Sequence, residues 1–532
     1  MSQESPQQTY PLSPEARNLA ITQLLDFAVL HGLIPEAERC YSANLLLDQL
    51  DLDEYEEALD YPRLPELYEL LDQLTQDAAA RGLFSYTQAQ ADLFDTRLMS
   101  ALTPRPAQVI QDFHLHYQNS PQEATRLFYQ FCQDCNYIRS ERIARDIRWR
   151  QDSPYGELQL SLNLSKPEKD PRDIVLAASQ PQSKYPRCLL CVENEGYRGR
   201  LNHPARQNLR VIPIELNQEE WCFQFSPYVY YEEHCIVFSR EHRPLAIDPS
   251  TFRKLLDFVM IFPHYFIGSN ADLPIVGGSI LSHEHFQGGI QKLPIEDARI
   301  LRSFRRPAAE GRAALDCSLL HWPLSAIRLE SEDPEQLYTA ATAIYEAWLD
   351  YDCPELGIYA HSGEERHNTL NPIVRHRQGR YQMDLLLRNN RCDAERPTGI
   401  FHPRAEYHHI KRENIGLIEA MGLAVLPGRL KRSFSLLAAD PQLLLTEQTG
   451  ERRQQAQDLA AHQAWFQDLV ARRGASFLEA GQEERLDQLL EACGEVFCKV
   501  LEDCGLFPLE GRGLEAFEAF VRGALPELEG QA

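Results

Sequence analysis

The fold is decided by the stretch Gly277-Gly-Ser-Ile-Leu-Ser-His283-Glu-His285-Phe-Gln287-Gly-Gly289. Pairs of glycine bracket a short segment that has the alternation of a β-strand. Because every second side chain of a strand points to the same face, His283, His285 and Gln287 are predicted to share one face. The glycines allow another backbone or a ligand to approach this strand closely.

Three polar side chains on one strand face suit phosphorus chemistry. The unperturbed pKa of histidine is about 6.5, so a neutral imidazole is available as a nucleophile near neutral pH. A neighbouring amide such as that of Gln287 can donate to a phosphoryl oxygen without adding charge. On the spacing alone, a polar strand that carries a surface or metal-binding histidine pair is an equally good interpretation.

The second feature is Cys188-Leu-Leu-Cys191, which can supply two thiolates to one zinc ion. The spacing to any histidine does not match a compact zinc finger, so the tertiary fold would have to assemble such a site. No βαβ pattern surrounds the pair, which disfavours a redox role. Cys132-Gln-Asp-Cys135 has the same spacing in a helical stretch and is interpreted as structural. The candidate partners of the first pair are His203, His234, His242 and His283.

Two further segments are polar. Histidine and basic residues are dense in the segments Phe401–Arg404 and Tyr407–Asn414. This composition is equally typical of a phosphate-binding site and of a solvent-exposed face. The segment Arg366–Pro372 is more typical of a turn. Neither a G-x-x-x-x-G-K-[ST] loop nor a G-x-G-x-x-G fingerprint is present, so any nucleotide would be held in another way.

The bulk composition bounds the class of protein. The chain has 532 residues, enough for two to four domains, and a net charge of -25, which excludes a general attraction for nucleic-acid backbones. Its apolar stretches are shorter than the roughly 20 residues that span a membrane. The first residues lack the pattern of a signal peptide. Thirteen scattered cysteines favour reduced thiols, and we therefore expect a cytoplasmic protein.

The chain divides by its periodicity. Residues 1–150 and 441–532 have apolar residues at helical spacing and are predicted to be helical regions. Between them, Tyr155–Leu164 and Tyr381–Arg388 are predicted strands, and Thr251–Phe266 is predicted to be helical. The pattern therefore predicts an α+β centre with helical N-terminal and C-terminal segments.

Several long phrases of the sequence resemble galactose-1-phosphate uridylyltransferase of the second bacterial type, a family of the histidine-triad superfamily. The resemblance covers most of the chain beyond residue 180 and, more loosely, the helical region before it. The phrases that carry it are Cys188–Tyr197, Asn202–Asn208, Phe225–Tyr231, His234–Pro244, Phe262–Phe266, Gly277–Gly289 and His408–Pro427.

The resemblance implies an activity and a fold. UMP would be exchanged between UDP-glucose and galactose 1-phosphate in galactose metabolism, by a ping-pong mechanism through a uridylyl-histidine. The centre would consist of two histidine-triad-like antiparallel-sheet halves. Residues 151–300 would be the first catalytic half, with the CxxC and HxHxQ motifs, and residues 301–440 the second, related half. A homodimer is expected, with no nucleic-acid or membrane partner.

The resemblance also assigns roles in the central motif. The better-studied branch of the superfamily carries His-Pro-His-x-Gln, which matches His283-Glu-His285-Phe-Gln287. By that match His285 is the nucleophile and Gln287 is its phosphoryl partner. Glu284 replaces the proline, which keeps the spacing and is expected to affect the orientation of the His285 ring.

By the same resemblance, a structural zinc ion would be held by Cys188, Cys191, His242 and His283, with His234 as the substitute for His242. Asn270 is expected to contact phosphate or sugar, and Ser279 is a substrate-binding candidate whose role stays open. Basic groups would bind the phosphates. The candidates are Arg206, Arg388, His408 and Lys411.

Two other functions compete with this one. Another histidine-triad enzyme, such as a nucleotidyl transferase, a dinucleoside-polyphosphate phosphorylase or a nucleotide hydrolase, would share His285 and differ in its acceptor. A zinc-stabilised binding or scaffold protein would have no turnover, and changing His285 would then alter no activity and no ligand affinity.

Overall fold

A computed structural model of the chain describes residues 10–58, 60–165, 183–278 and 280–530. The α-helices of these residues are α1 Pro14–Leu30, α2 Arg39–Leu50, α3 Leu67–Ala80, α4 Gln88–Ser100, α5 Pro106–Tyr117, α6 Pro121–Asp134, α7 Ser140–Ile143, α8 Pro249–Ile261, α9 Pro334–Leu349, α10 Leu417–Ala420, α11 Arg429–Ala439, α12 Gly450–Asp458, α13 Gln463–Arg473, α14 Ala475–Leu478, α15 Gln482–Glu502 and α16 Gly511–Ala524.

The strands are β1 Ile147–Ser153, β2 Gly156–Asn163, β3 Ile212–Leu216, β4 Glu219–Phe225, β5 Cys235–Ser239, β6 Phe266–Ser269, β7 His285–Gly289, β8 Ile300–Arg306, β9 Leu315–Leu320, β10 Ala326–Ser331, β11 His361–Ser362, β12 Glu365–Arg366, β13 Asn368–Arg377, β14 Arg380–Asn389, β15 Leu423–Pro427 and β16 Glu529–Gly530. Short 3-10 helices lie at Glu36–Glu38, Val192–Asn194, Pro294–Asp297, Pro354–Leu356, Ala405–Tyr407, Pro441–Leu444 and Ala460–His462.

The central sheet is built from two halves with the same topology. Its eleven strands run in the order β16-β8-β9-β10-β14-β13-β6-β7-β5-β4-β3. In each half, three antiparallel strands are followed by a helix and then by two more strands, the last of which inserts beside the third. The halves meet where β6 pairs antiparallel with β13, for example at Ile267 and Val374. The predicted α+β class, with two related antiparallel halves, is confirmed.

The two faces of this sheet differ in what covers them. Helices α8 and α9 pack on one face, where Phe286, Ile267 and Leu385 belong to the larger apolar core. The small sheet β1-β2-β15 and helix α15 belong to a second core, which contains Ile373 and Leu386. Because residues directly opposite each other in a sheet share a face, the polar side chains discussed below lie on the side of this second core.

Helix α8 begins with a strong local signal. Asp248 accepts a hydrogen bond from the backbone of Thr251, and Pro249 occupies the first turn. The helix ends at Ile261, so the predicted helix over Thr251–Phe266 is too long at its end. Phe266 instead begins β6, because pairing with its neighbours outweighs helical periodicity there.

The helical N-terminal region ends earlier than expected. Helix α7 ends at Ile143, and residues 147–150, which were expected to be helical, are the first part of β1. This strand pairs with β2 over its whole length, which fixes an extended backbone whatever the local preference. Among the described residues, no helix has both the length and the apolar character that a membrane crossing requires.

Candidate active site

Strand β7 positions the central motif. It lies between β5 and β6, with Phe286 stacked on Trp221 at a ring distance of 4.8 Å on the helix-covered face. His285 and Gln287 therefore share the opposite face. The strand begins only at His285, so His283 precedes it, and its ring turns towards two cysteines.

The orientation of the His285 ring fixes its tautomer. Its Nδ1 lies 2.8 Å from the carbonyl oxygen of His283. A carbonyl oxygen can only accept, so Nδ1 carries the proton and Nε2 keeps its lone pair. Burial lowers the pKa of His285 to about 4, which keeps the ring neutral near neutral pH. The residue therefore presents a neutral nitrogen nucleophile.

A cluster of four side chains lies directly beside the start of β7. The ligand atoms of Cys188, Cys191, His242 and His283 all lie within 4.8 Å of one another. His283 Nδ1 is 3.2 Å from Cys188 Sγ, and His242 Nδ1 is 3.1 Å from Cys191 Sγ. Zinc–ligand bonds of about 2.0 to 2.3 Å give tetrahedron edges of about 3.3 to 3.8 Å, close to these separations.

The surroundings of the cluster also fit a metal ion. His283 Nε2 donates to the carbonyl oxygen of Ser239 at 2.8 Å, which leaves the lone pair of Nδ1 directed at the cysteines. Asn194 Nδ2 donates to the carbonyl oxygens of Cys188 and Cys191. Burial raises the pKa of Cys191 to about 12, so a thiolate there needs a bound cation. The residues present therefore fit a tetrahedral metal ion.

Glu284 ties the motif to helix α8. Its side chain is buried, and its carboxylate accepts from Arg243 Nε at 2.5 Å and from Lys254 Nζ at 2.9 Å. Its backbone N–H donates to the carbonyl oxygen of Arg243 at 2.7 Å. A proline at this position could make none of these bonds. The expected effect on the His285 ring is indirect, since the ring is held by the His283 carbonyl.

Asn270 follows β6 and lies next to His285 in the register. Ser269 is directly opposite Phe286, so one step along β6 brings Asn270 beside His285. Its Oδ1 accepts from the backbone of Leu417 at 2.9 Å. A Cβ on Gly278 would lie 2.7 Å from the Asn270 side chain, so a glycine is needed there. Ser279 lies outside the described residues.

Two of the predicted basic residues are buried. Arg388 Nη1 donates to Asn371 Oδ1 at 2.8 Å and to the carbonyl oxygen of Ile415 at 3.0 Å. Burial lowers the pKa of Arg388, and no carboxylate of the described chain lies within ion-pair distance of it. Lys411, in contrast, is paired with Glu419 at 2.7 Å. Arg388 is therefore the better anion-binding candidate of the two.

The other two predicted basic candidates make local contacts. His408 Nε2 donates to the carbonyl oxygen of Pro403 at 2.9 Å. Arg206 lies over the ring of Tyr137 at 5.5 Å and donates to the carbonyl oxygen of Ala205. None of these contacts joins either residue to β7.

Sequence reasoning missed the partners of two histidines. His234 was a candidate zinc ligand, but its Nε2 lies 3.1 Å from Gln287 Oε1. His203 was another, but its Nε2 contacts Asn194 Oδ1 at 2.7 Å and so buttresses the cysteine loop. The register of β5 against β7 decides the first contact, and no local pattern reveals it. The second Cys-x-x-Cys pair, Cys132 and Cys135, is buried in the larger apolar core, as its structural interpretation requires.

Comparison with known proteins identifies the family of this chain. Residues 36–244 match the model of the N-terminal domain of galactose-1-phosphate uridyl transferase, and residues 258–456 match that of its C-terminal domain. Galactose-1-phosphate uridylyltransferase of Halalkalibacterium halodurans is 46% identical over 515 residues, which cover 96% of this chain and 99% of that protein. The Bacillus subtilis protein of the same name is 42% identical over 511 residues, 94% of this chain and 96% of its own.

Among solved structures, yeast Ap4A phosphorylase Apa2 overlays with a TM-score of 0.32 and 12% identity over 63% of this chain and 91% of its own, which is too distant to carry an argument. The two domain models and the curated relatives do carry one, because the models match more than half of the chain and the relatives span nearly all of it. The chain belongs to the galactose-1-phosphate uridyl transferase family.

Proposed function

We propose that the protein exchanges a uridylyl group between UDP-glucose and galactose 1-phosphate in galactose metabolism. The observation that carries the proposal is the ring of His285, which is buried and neutral and whose Nδ1 proton is held by the His283 carbonyl, leaving Nε2 free to attack. The names of the relatives support uridylyl transfer and galactose 1-phosphate as one of the two substrates.

In the first half-reaction, Nε2 of His285 attacks the α-phosphorus of UDP-glucose. A phosphorus–nitrogen bond forms while the bond from that phosphorus to the bridging oxygen breaks, and glucose 1-phosphate leaves with the electron pair. The Nδ1 proton stays on the ring, so the uridylylated imidazole is positively charged. The His283 carbonyl, which already accepts from Nδ1, stabilises that charge.

In the second half-reaction, a phosphate oxygen of galactose 1-phosphate attacks the same phosphorus. The phosphorus–nitrogen bond breaks, its electron pair returns to Nε2, and UDP-galactose is released with His285 neutral again. Each half-reaction exchanges one hexose 1-phosphate at one site, so the covalent intermediate divides the exchange into two nearly equivalent steps. This symmetry is the basis of a ping-pong order.

The phosphates need hydrogen-bond donors beside the nucleophile. Gln287 shares the strand face of His285 and would donate to a phosphoryl oxygen without adding charge. Asn270 lies beside His285 in the register and would contact phosphate or sugar. Arg388 is a cation without a carboxylate partner in the described chain, which suits an anionic ligand. Weaker support exists for the remaining candidates, Arg206, His408, Lys411 and Ser279.

A zinc ion held by Cys188, Cys191, His242 and His283 would be structural. Four protein ligands complete a tetrahedral shell and leave no position for substrate. Such an ion would fix His283 and thereby the carbonyl group that orients His285.

The setting of the enzyme is part of the same proposal. None of the thirteen cysteines forms a disulfide, which suits a reducing compartment such as the cytoplasm. The homodimer rests on the family resemblance alone. The division into residues 1–150, 151–300, 301–440 and 441–532 rests on the helical periodicity of the two ends together with that resemblance. A net charge of -25 opposes a general attraction for nucleic acid, so the small anionic substrates require basic groups in a local pocket.

The proposal is tested by trapping the intermediate. The protein is incubated with UDP-glucose alone, quenched and examined by intact and peptide mass spectrometry. We expect a UMP adduct on His285 that disappears on addition of galactose 1-phosphate, with formation of UDP-galactose. Absence of an adduct in folded protein, with no exchange activity, would refute the proposal. An adduct discharged only by water or by a nucleotide would indicate one of the other histidine-triad activities.

A further inference from the structure

The side chain of Gln287 has a partner on the neighbouring strand. Ile236 of β5 is directly opposite Gln287, and His234 precedes it by two residues, in the diagonal position. From there His234 Nε2 reaches Gln287 Oε1 at 3.1 Å. This contact links a buried histidine to the amide that shares a strand face with the nucleophile.

The surroundings of His234 decide which of its nitrogens carries the proton. The residue is 1% exposed, its ring packs against Tyr230 and Tyr231, and Nδ1 has no hydrogen-bond partner among the described residues. A buried N–H donor without a partner is less tolerated than an unpaired lone pair. The proton therefore belongs on Nε2, which donates to Gln287 Oε1. Burial lowers the pKa of His234 to about 4, so the ring adds no charge.

This donation selects one orientation of the Gln287 amide. With Oε1 engaged, the NH₂ group faces away from His234, and it meets no acceptor within the described part of the chain. Gln287 and His285 are two residues apart on one strand, about 7 Å between their Cα atoms. The reversed amide would instead present an oxygen to a phosphoryl group, which repels it.

We propose that His234 is a positioning residue, which holds the Gln287 amide with its N–H groups towards the phosphoryl group that His285 attacks. This inference rests on the proposed function. Without such a partner, the terminal torsion of glutamine has two nearly equivalent wells, and only one of them offers a donor. A neutral histidine removes that ambiguity.

Two variants of similar volume separate the hydrogen bond from packing. His234→Met removes the donor, and His234→Gln keeps an N–H group near the position of Nε2. The rate of uridylylation of His285 is measured in a single turnover with UDP-glucose, together with the melting temperature. We expect His234→Met to be slower by about 10- to 100-fold, less than the roughly 10²- to 10³-fold loss when such a donor is removed outright, and His234→Gln to lie within about 3-fold of the wild type.

A double-mutant cycle with Gln287→Met tests whether His234 acts through Gln287. If it does, His234→Met lowers the single-turnover rate in the wild type and has no further effect in Gln287→Met. Equal factors in both backgrounds would overturn the inference, because a general structural effect is additive. An unchanged rate in folded His234→Met would overturn it as well.

The tautomer provides a measurement that needs no destabilising variant. In protein labelled with ¹⁵N in its imidazole rings, the resonances of His234 are those lost in His234→Gln. A proton on Nε2 is expected, and a proton on Nδ1 would refute the inference even if His234→Met fails to fold. Wild-type protein that forms no adduct would refute the proposed function instead, so the two failures are distinguishable.

Discussion

Strands β7 and β14 occupy the same position in the two halves of the central sheet, but their polar side chains are used differently. A row of directly opposite residues joins the two strands across the sheet. It runs through Gln287, Gly268, Ile373, Asp384 and Arg328. One end of this row is an amide beside a nucleophile, and the other end is a buried ion pair.

In the second half, the buried charged side chains form ion pairs with one another. Asp384 accepts from Arg328 Nε at 2.7 Å and from Arg375 Nη2 at 2.8 Å. Burial alone would raise the pKa of Asp384, but the two guanidinium groups outweigh it and hold this pKa below its usual value. All three residues are buried, so these charges are not available to a ligand.

In the first half, the corresponding polar atoms are left open. His285 Nε2 and Gln287 Nε2 have no hydrogen-bond partner among the described residues, whereas the other nitrogen of His285 and the oxygen of Gln287 are engaged. The same strand order therefore supports two different outcomes. Chemistry is expected where a scaffold orients polar groups without satisfying them, and stability where it satisfies them completely.

Removal of the His285 side chain is expected to have the largest effect on the rate of exchange. In His285→Ala, exchange between UDP-glucose and galactose 1-phosphate should fall by about 10⁴-fold or more, equivalent to about 5.5 kcal/mol, since no other group can carry the uridylyl group. The control is His376→Ala on β13, in the second half, which should stay within about 3-fold of the wild type. Activity in His285→Ala above one-tenth of the wild-type value would contradict the assignment of the nucleophile.

Breaking the buried ion pairs of Asp384 is expected to lower the stability of the protein rather than its activity. In Asp384→Asn, Arg328 and Arg375 lose their shared carboxylate, and the free energy of unfolding should fall by about 3 to 5 kcal/mol. Denaturant unfolding measures this loss. The single-turnover rate of the folded variant should remain within a few-fold of the wild type. A variant of unchanged stability, or one that is folded but inactive, would break the contrast between the two halves.

The metal cluster extends the open half, and its removal is expected to have a smaller effect on the reaction. If the cluster holds the proposed zinc ion, Cys188→Ser should purify with less metal and slow uridylylation by about 10- to 100-fold, because His283 would no longer hold its carbonyl group in place. Elemental analysis of the purified protein gives the metal content. Cys40→Ser, at an exposed cysteine, is the matched control. Full metal content in Cys188→Ser would exclude this residue as a ligand.

Much of this site could be predicted from the sequence, because its motifs are local. The phrase around His283 and His285 predicted a strand that places His285 and Gln287 on one face, and β7 does so. The Cys-x-x-Cys spacing predicted two members of the cluster of cysteines and histidines beside it. The alternation in Tyr155–Leu164 and Tyr381–Arg388 matches β2 and β14 closely. Each of these signals lies within a few residues of the chain, where periodicity and side-chain chemistry can be read directly.

Contacts between distant segments could not be predicted in the same way. The pairing of Arg328 with Asp384 joins residues 56 positions apart, and that of His234 with Gln287 joins residues 53 apart. Both depend on the register of neighbouring strands, which one sequence does not specify. The pairing of Lys411 with Glu419 spans only eight residues, but it depends on how the loop between them folds, which periodicity does not show.

The contrast between the halves also predicts a difference in pH dependence. The pKa of His234 is about 4 in the folded protein, where burial lowers it, and about 6.5 in an unfolded chain. As the pH falls between these values, the unfolded state binds the proton first, so the free energy of unfolding decreases by up to about 1.4 kcal/mol per pH unit. His234→Gln should remove that contribution, which denaturation midpoints between about pH 7 and 4 would measure.

Asp384 has a lowered pKa and contributes stability above its unfolded pKa of about 3.9, which is lost only at more acidic pH. Asp384→Asn should therefore leave the slope between about pH 6.5 and 5 unchanged, and an equal flattening in both variants over that range would show that acid acts on the two halves alike.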